Sequence, residues 1–268
     1  GQLSPRLHKK QVCAFEEMSN LPAPLRQRLA QTAFITPVTT RRRLESALDG
    51  TRKFLFALAD GSCVEAVWME YHHGPSLCIS TQVGCRMGCA FCASTLGGLV
   101  RNLTPGEMLQ EVYEAQRQMG RPISSLVLMG IGEPLDNLPN VLAFLEILCS
   151  EEGQQLGWRH VSLSTCGLIP GIRELMDKKL GLTLSISLHA PDDAARSAIM
   201  PVNRSYPIGE LMAVCREYFA VTGRRVSYEY ALIDGVNDSP EQAAALARLL
   251  KGQTCHVNLI PVNPVAER

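Results

Sequence analysis

The chain has 268 residues, 46% of them hydrophobic, with 26 basic side chains balanced by 26 acidic ones. That length suits one large domain, or a large domain with a small companion, and zero formal net charge gives no support to a surface dominated by nucleic-acid-binding cations. No stretch of about 18 apolar residues is present to make a transmembrane helix, and the opening GQLSPRLHKK does not read as a signal peptide.

The charge is unevenly spread. Residues 1–59 carry ten Lys or Arg against four Asp or Glu, with Arg41, Arg42 and Arg43 in a row. Such a segment can meet phosphates or simply form a solvated face. Within it, FEEMSNLPAPLRQRLAQ (15–31) predicts two short helices around a Pro-containing turn. FLFALADGSCVEAVWME (54–70) predicts a β-hairpin turning at Asp60-Gly61. These segments do not follow the rhythm of the later chain. Residues 1–75 are therefore expected to form a small accessory region and 76–268 the core.

From residue 77 onward, short apolar runs alternate with helical patterns. The runs LCIST (77–81), SSLVLMG (124–130), HVSLST (160–165), LTLSISLHA (182–190), VSYEYAL (226–232) and CHVNLIP (255–261) read as strands. TPGE (104–107) offers Thr104 as N-cap, Pro105 at N1 and Glu107 at N3, a capping box. SPEQ (239–242) repeats that design. Further helices fit at about 138–150, 170–179 and 208–222. Strands alternating with helices imply a parallel sheet with right-handed crossovers. The expected class is α/β, a partial (β/α)6 barrel, with a doubly wound open sheet as the alternative. Either architecture gathers its chemistry at the C-terminal ends of the strands.

Three of the ten cysteines, Cys85, Cys89 and Cys92, crowd the loop after the first of these strands. Most others sit singly in apolar runs, the usage of a reducing, cytoplasmic compartment. Three thiols with no metal, exposed side by side, would invite oxidation. A structural zinc would want a fourth ligand, and no second CxxC or HxxxH pair follows. His72 and His73 lie upstream of the strand. An iron–sulfur cluster with three cysteine ligands and one open iron fits better. A zinc-stapled or purely RNA-binding module is the reading from another class.

CxxxCxxC after the first strand of a βα barrel resembles the radical S-adenosylmethionine (SAM) enzymes. LCISTQVGCRMGCAFCAS, GIGEPLDN, LSTCGLIPGIRELMD, LSISLHAPDDAARSAIMPVNRSYPI, YEYALIDGVNDS and CHVNLIPVNPV resemble, in order, segments of the RlmN-type RNA adenine C2 methyltransferases. The resemblance spans about residues 11–265. It implies a 4Fe–4S cluster on Cys85, Cys89 and Cys92, with SAM on the open iron. It implies SAM contacts from Gly132, Glu133, Ser164, Ser187, Leu188, His189 and Asn263. Gly132 would admit the ligand close to the backbone, and Glu133 would accept hydrogen bonds from the SAM ammonium. Read alone, GIGEP is as well explained by a turn, His189 by a structural role, Cys78 by a buried core thiol and Glu65 by a solvent-facing residue. The resemblance makes Glu65 the general base and Cys78 the thiol that resolves a covalent protein–RNA intermediate by forming a disulfide. It implies ribosomal RNA as substrate with transfer RNA as a further one, an electron donor such as flavodoxin or ferredoxin, no membrane, and a monomer. The family's methyl-carrying cysteine, in a segment resembling AACGQL, has no counterpart before Arg268. The expectation is either a piece of a longer enzyme or a short form that cleaves SAM without methylating RNA.

Overall fold

The structure, a computed structural model, describes residues 2–262. Its contacts divide the chain into two compact units. The first comprises the residues through Ser80 together with Leu103–Leu126 and Pro139–Gly157. The second comprises Thr81–Asn102, Val127–Leu138 and the residues from Trp158 onward. The accessory region expected over 1–75 lies inside the first unit, which also takes in two helices from later in the chain.

After a helical turn at Pro5–Lys9, the first unit has a short turn of helix at Phe15–Glu17 and helix α1 (Ala23–Thr32) on either side of Pro22, as predicted. Strands β1 (Val38–Glu45), β2 (Arg52–Leu58), β3 (Cys63–Tyr71) and β4 (Gly74–Cys78) then pair antiparallel, each with the next. β2 and β3 are the predicted hairpin. Alternation puts Phe54, Phe56, Val64, Ala66 and Trp68 on a buried side. Burying each large side chain there is worth roughly 1.5–3 kcal/mol. Leu55, Glu65 and Val67 lie on the opposite, half-exposed side. Helix α2 (Pro105–Met119) packs against β1, β2 and β3. Its capping box forms as read: Thr104 Oγ1 accepts from the Glu107 amide at 3.3 Å, and Glu107 Oε2 accepts from the Thr104 amide at 2.9 Å. Met108, Val112 and Ala115 fall on its buried face, the spacing of a helix set on a core. Thr40 of β1 donates to Glu114 of α2 at 2.7 Å, so α2 lies on the Phe56 side of the sheet. Helix α3 (Leu138–Cys149) completes the set. β4 ends at Cys78, short of the expected Thr81. The next amides have left the ladder: Ser80 donates to the Glu111 carboxylate at 3.2 Å and Thr81 to the Ile131 carbonyl at 2.9 Å.

In the second unit, β5 (Gln82–Gly84) and β6 (Leu99–Asn102) form a small antiparallel hairpin that the periodicity does not reveal. Strand β7 (Ser125–Leu128) has residues in both units. Beyond it, β8 (Val161–Thr165), β9 (Thr183–Ser187), β10 (Val226–Leu232) and β11 (Cys255–Pro261) pair in parallel, in chain order. Helices α4 (Ile169–Lys178), α5 (Asp193–Ile199), α6 (Ile208–Thr222) and α7 (Pro240–Leu250) alternate with them. Val226–Ala231 are all buried, the near-continuous burial of a strand covered on both faces. All six core strands expected are present, as β4 and β7–β11; α5, between β9 and α6, is additional. The fold is the expected mixed α/β class. Among the described residues no helix is long and apolar enough to cross a membrane.

Candidate active site

The cysteine loop is strung between β5 and β6. Gly84 begins it at φ +73°, and a Cβ there would lie 1.9 Å from the Gly98 carbonyl oxygen. Only glycine fits that approach, and it lets the Cys85 amide donate to the same oxygen at 3.0 Å. Mid-loop, the Ala90 amide donates to the Ile199 carbonyl at the end of α5, at 2.8 Å. The thiols are not the exposed neighbours that sequence suggested: Cys85 and Cys89 are 7% and 8% exposed, Cys89 packs with Cys166, Ile199 and Met200, and Cys92 is half-buried.

This donor set fits an iron–sulfur cluster. Burial raises the Cys85 thiol and pushes Cys89 up to about 12, with the other thiols and Glu133 adding repulsion. Such a loop is hostile to bare thiolates and needs cationic iron to hold three of them. A cluster would place each thiolate on its own iron.

A pocket of about 240 Å³ opens beside the loop, lined by all three cysteines and by Gly132, Glu133, Ser164, Ser187 and His189. Every lining residue belongs to the second unit. Of the eight strand-end residues and cysteines so named, each is a residue the sequence singled out. Leu188 is fully buried and does not line the pocket. Asn263 lies outside the described residues.

Gly132 and Glu133 serve the protein itself as well as the pocket. Gly132 has φ +105°, and an added Cβ would lie 2.6 Å from Gln82 Cβ. Its freedom admits the Gln82 side chain. Gln82 Oε1 accepts from the Glu133 amide at 2.9 Å, and its Nε2 donates to Asn102 and Asp136, both at 2.8 Å. The Glu133 carboxylate, 3% exposed, accepts from the Leu135 amide at 3.0 Å and the Cys166 amide at 2.8 Å. Burial nonetheless raises its pKa.

Ser164 and Ser187 end adjacent strands with their hydroxyls 3.3 Å apart. His189 follows in the left-handed region, φ +58°. Its Nδ1 accepts from the Ala231 amide at 2.9 Å, which leaves the proton on Nε2. Burial, aided by Arg196, lowers its pKa to about 3, so it is a neutral donor at every physiological pH. Phe91, between Cys89 and Cys92, sets its edge against the ring at 4.8 Å between centroids.

Sequence reasoning missed three organising residues. Gln82 brackets the Glu133 loop. Arg196, fully buried, donates to the carbonyls of Leu188 (3.1 Å), Cys166 (2.6 Å) and Ser187 (3.1 Å) and to Asn203 Oδ1 (2.9 Å). Glu229 lines the pocket from β10 and accepts from Asn258 at 2.8 Å. For Arg196 a signal existed: on α5 it shares a face with Ile199 and Met200, three and four residues on, where a charge must be buried.

The two remaining expected site residues lie in the first unit. Glu65 pairs with Leu55 on β3, and Val67, two residues on, pairs with Cys78 of β4. Glu65 and Cys78 therefore share the half-exposed side as diagonal neighbours, a relation that separates residues by about 7–8 Å. Lys53 on β2 makes a 2.8 Å ion pair with Glu65. No cysteine among the described residues is in a disulfide.

Residues 79–247 match the model of the Radical SAM superfamily. The chain is 53% identical over its whole length to the "Probable dual-specificity RNA methyltransferase RlmN" of Lachnoclostridium phytofermentans, of which it covers 75%. It is 52% identical to the protein of the same description from Lachnospira eligens, covering 77% of that chain. Among solved structures, a radical SAM methyltransferase from Sphaerobacter thermophilus matches with a TM-score of 0.93 and 46% identity, over 98% of this chain and 78% of that one.

Proposed function

Since the chain belongs to the radical SAM superfamily and, within it, to the RlmN-type RNA methyltransferases, we propose that its reaction is methylation of C2 of adenine in 23S ribosomal RNA and in transfer RNA. The observation that carries the reading is the pocket that gathers three cysteines with the polar strand ends. Cys85, Cys89 and Cys92 would hold the 4Fe–4S cluster, and the strand ends would hold SAM. When bound, the cluster supplies the single electron that cleaves SAM, chemistry no side chain can provide.

The chain's own residues bind, orient and shelter. The Ser164 and Ser187 hydroxyls each donate and accept, and the fixed His189 Nε2–H donates, so a polar ligand meets all three in defined roles. Glu229 adds an acceptor. Glu133 acts one step back, fastening Cys166 and Leu135 so that the pocket keeps its shape. Phe91 and Met200 put apolar surface beside the cysteines, which limits water. Glu65 is assigned as general base and Cys78 as the thiol that attacks a protein–RNA adduct; their shared sheet face supports the pairing of roles. The electron donor is a small flavodoxin- or ferredoxin-type protein, and the enzyme acts as a monomer in the cytoplasm.

The test is genetic and chemical. Deleting the gene that encodes this chain should remove 2-methyladenosine from the host's ribosomal and transfer RNA, read by mass spectrometry of nucleosides. Alleles carrying Glu65→Gln or Cys78→Ser should fail to restore it. Persistence of the modified nucleoside in the deletion strain refutes the assignment.

A further inference from the structure

The open side of the first unit's sheet sorts its charges in a way that its overall composition hides. On the α2 side, acids and bases pair off. Arg52 reaches Glu45 at 2.8 Å, Arg43 lies 3.9 Å from Glu45, and Arg121 pairs with Glu70. On the other side, strand alternation leaves Glu65 as the single acid among Leu44, Lys53, Leu55, Val67 and Cys78.

A bulge adds cations to that side. The β1–β2 register shifts between Thr40 and Arg42, leaving Arg41 as the extra residue. A bulge turns two consecutive side chains to the same side, here Arg41 and Arg42. The position of Arg41 agrees: its Nη1 lies 3.8 Å from Sγ of Cys63, which alternates in step with Glu65. Arg41 and Arg42 are exposed, and the Lys53 side chain is 47% exposed. Three cations thus face one carboxylate, interleaved with Leu44, 49% exposed, and Leu55.

We propose that this face of the β1–β4 sheet is the docking surface for the substrate RNA, with Arg41, Arg42 and Lys53 taking its phosphates. The inference rests on the RNA-methyltransferase reading above and gives the RNA a location on the molecule. Positive charge complements the phosphate backbone, and the apolar side chains between the cations offer contact to unstacked bases. The ion pair of Lys53 with Glu65 is exposed and therefore weak. An arriving phosphate draws the ammonium away and frees the carboxylate beside Cys78.

Equilibrium binding of a fluorescent transfer RNA transcript to the full chain, measured by anisotropy across a potassium chloride series, tests this. Arg42→Gln and Lys53→Gln should each weaken binding and lower the slope of log affinity against log salt by about 0.7–0.9, one phosphate contact apiece. Lys53→Arg should retain the slope. Arg43→Gln is the control: it removes the same charge one residue away on the same strand, but from the α2 side, and should leave the slope unchanged. Equal effects of Arg43→Gln and Arg42→Gln, or no effect of Arg42→Gln and Lys53→Gln on a chain that does bind, overturn the docking face alone. A wild-type chain that shows no salt-dependent RNA binding overturns the RNA reading itself.

Discussion

His189→Asn should flatten the stability of the protein between neutral and mildly acid pH. The wild-type imidazole has a folded pKa of about 3 against an ordinary value of 6.5, because it is buried, lies near Arg196, and uses Nδ1 to accept from Ala231. The folded state therefore binds fewer protons than the unfolded one between these values. Stability from this residue is complete above pH 6.5 and is lost as pH falls toward 3. At about 1.4 kcal/mol per pH unit below 6.5, moving from pH 7.5 to pH 5 costs about 2 kcal/mol. Asparagine is chosen because it tolerates φ +58° and cannot titrate. Any constant cost of a weakened bond to Ala231 cancels in the pH difference. Urea unfolding followed by circular dichroism at pH 7.5 and 5.0 gives that difference for each protein, and the variant's should be smaller by about 2 kcal/mol. Identical pH dependence in the two proteins would mean that His189 titrates normally, and the assignment of Nδ1 as a buried acceptor would fall.

Replacing Cys85, Cys89 or Cys92 by Ala, one at a time, should reduce reconstituted iron from about four atoms per chain to near zero; full iron in any one variant refutes the ligand set. Gly132→Ala should lower thermal stability by at least about 1–3 kcal/mol, since its Cβ would meet Gln82 at 2.6 Å from a backbone at φ +105°; an unchanged melting temperature refutes that packing. Glu111 is fully buried, with Oε1 lacking a hydrogen-bond partner, and burial followed by repulsion from Glu107 raises its pKa well above the usual carboxylate range. Its folded pKa lies above its unfolded one, so its contribution is complete at acid pH and is lost as pH rises through the folded value. Glu111→Gln should therefore be more stable than the wild type by about 1–3 kcal/mol at pH 8, with the advantage vanishing in acid; equal urea midpoints at pH 8 would show the carboxylate to be satisfied.

Local signals carried much of the fold. Thr104 and Ser239 announce their helices because a capping box is written in four consecutive residues, and β8–β11 are legible because short runs rich in Val, Ile, Leu, Ser and Thr alternate with helical patterns, although β11 itself is not buried. The partial barrel of the radical SAM family follows from their alternation with helices. β1 escaped because Arg41–Arg43 read as a solvated charge run, and β5 and β6 because strands of three and four residues have no period to detect. At the site, the cysteines and strand-end residues stood in recognisable motifs. Gln82 did not, since Asp136, which it holds, lies 54 positions away; Arg196 left only the trace of a charge on an apolar helix face, and its bond to Cys166 spans 30 positions. Glu133 was legible as a site residue but not as a brace, because the Cys166 amide it holds is 33 positions away.

The fastening of the cysteine loop has a consequence in time. Its middle is tied by the Ala90 amide to Ile199, and the rim of the pocket is tied by Arg196 to Cys166, Ser187 and Leu188. In each case the holding residue is made after the residues it holds. A chain emerging from the ribosome N-terminus first presents Cys85, Cys89 and Cys92 long before α5 exists to clamp them. Until residue 199 is out, the loop has its own bond from Cys85 to Gly98 but lacks the tie at Ala90. For the newborn protein, the interval between translating the CRMGCAFC segment and translating α5 is the period in which Cys89, buried in the finished fold, is not yet covered by Ile199 and Met200.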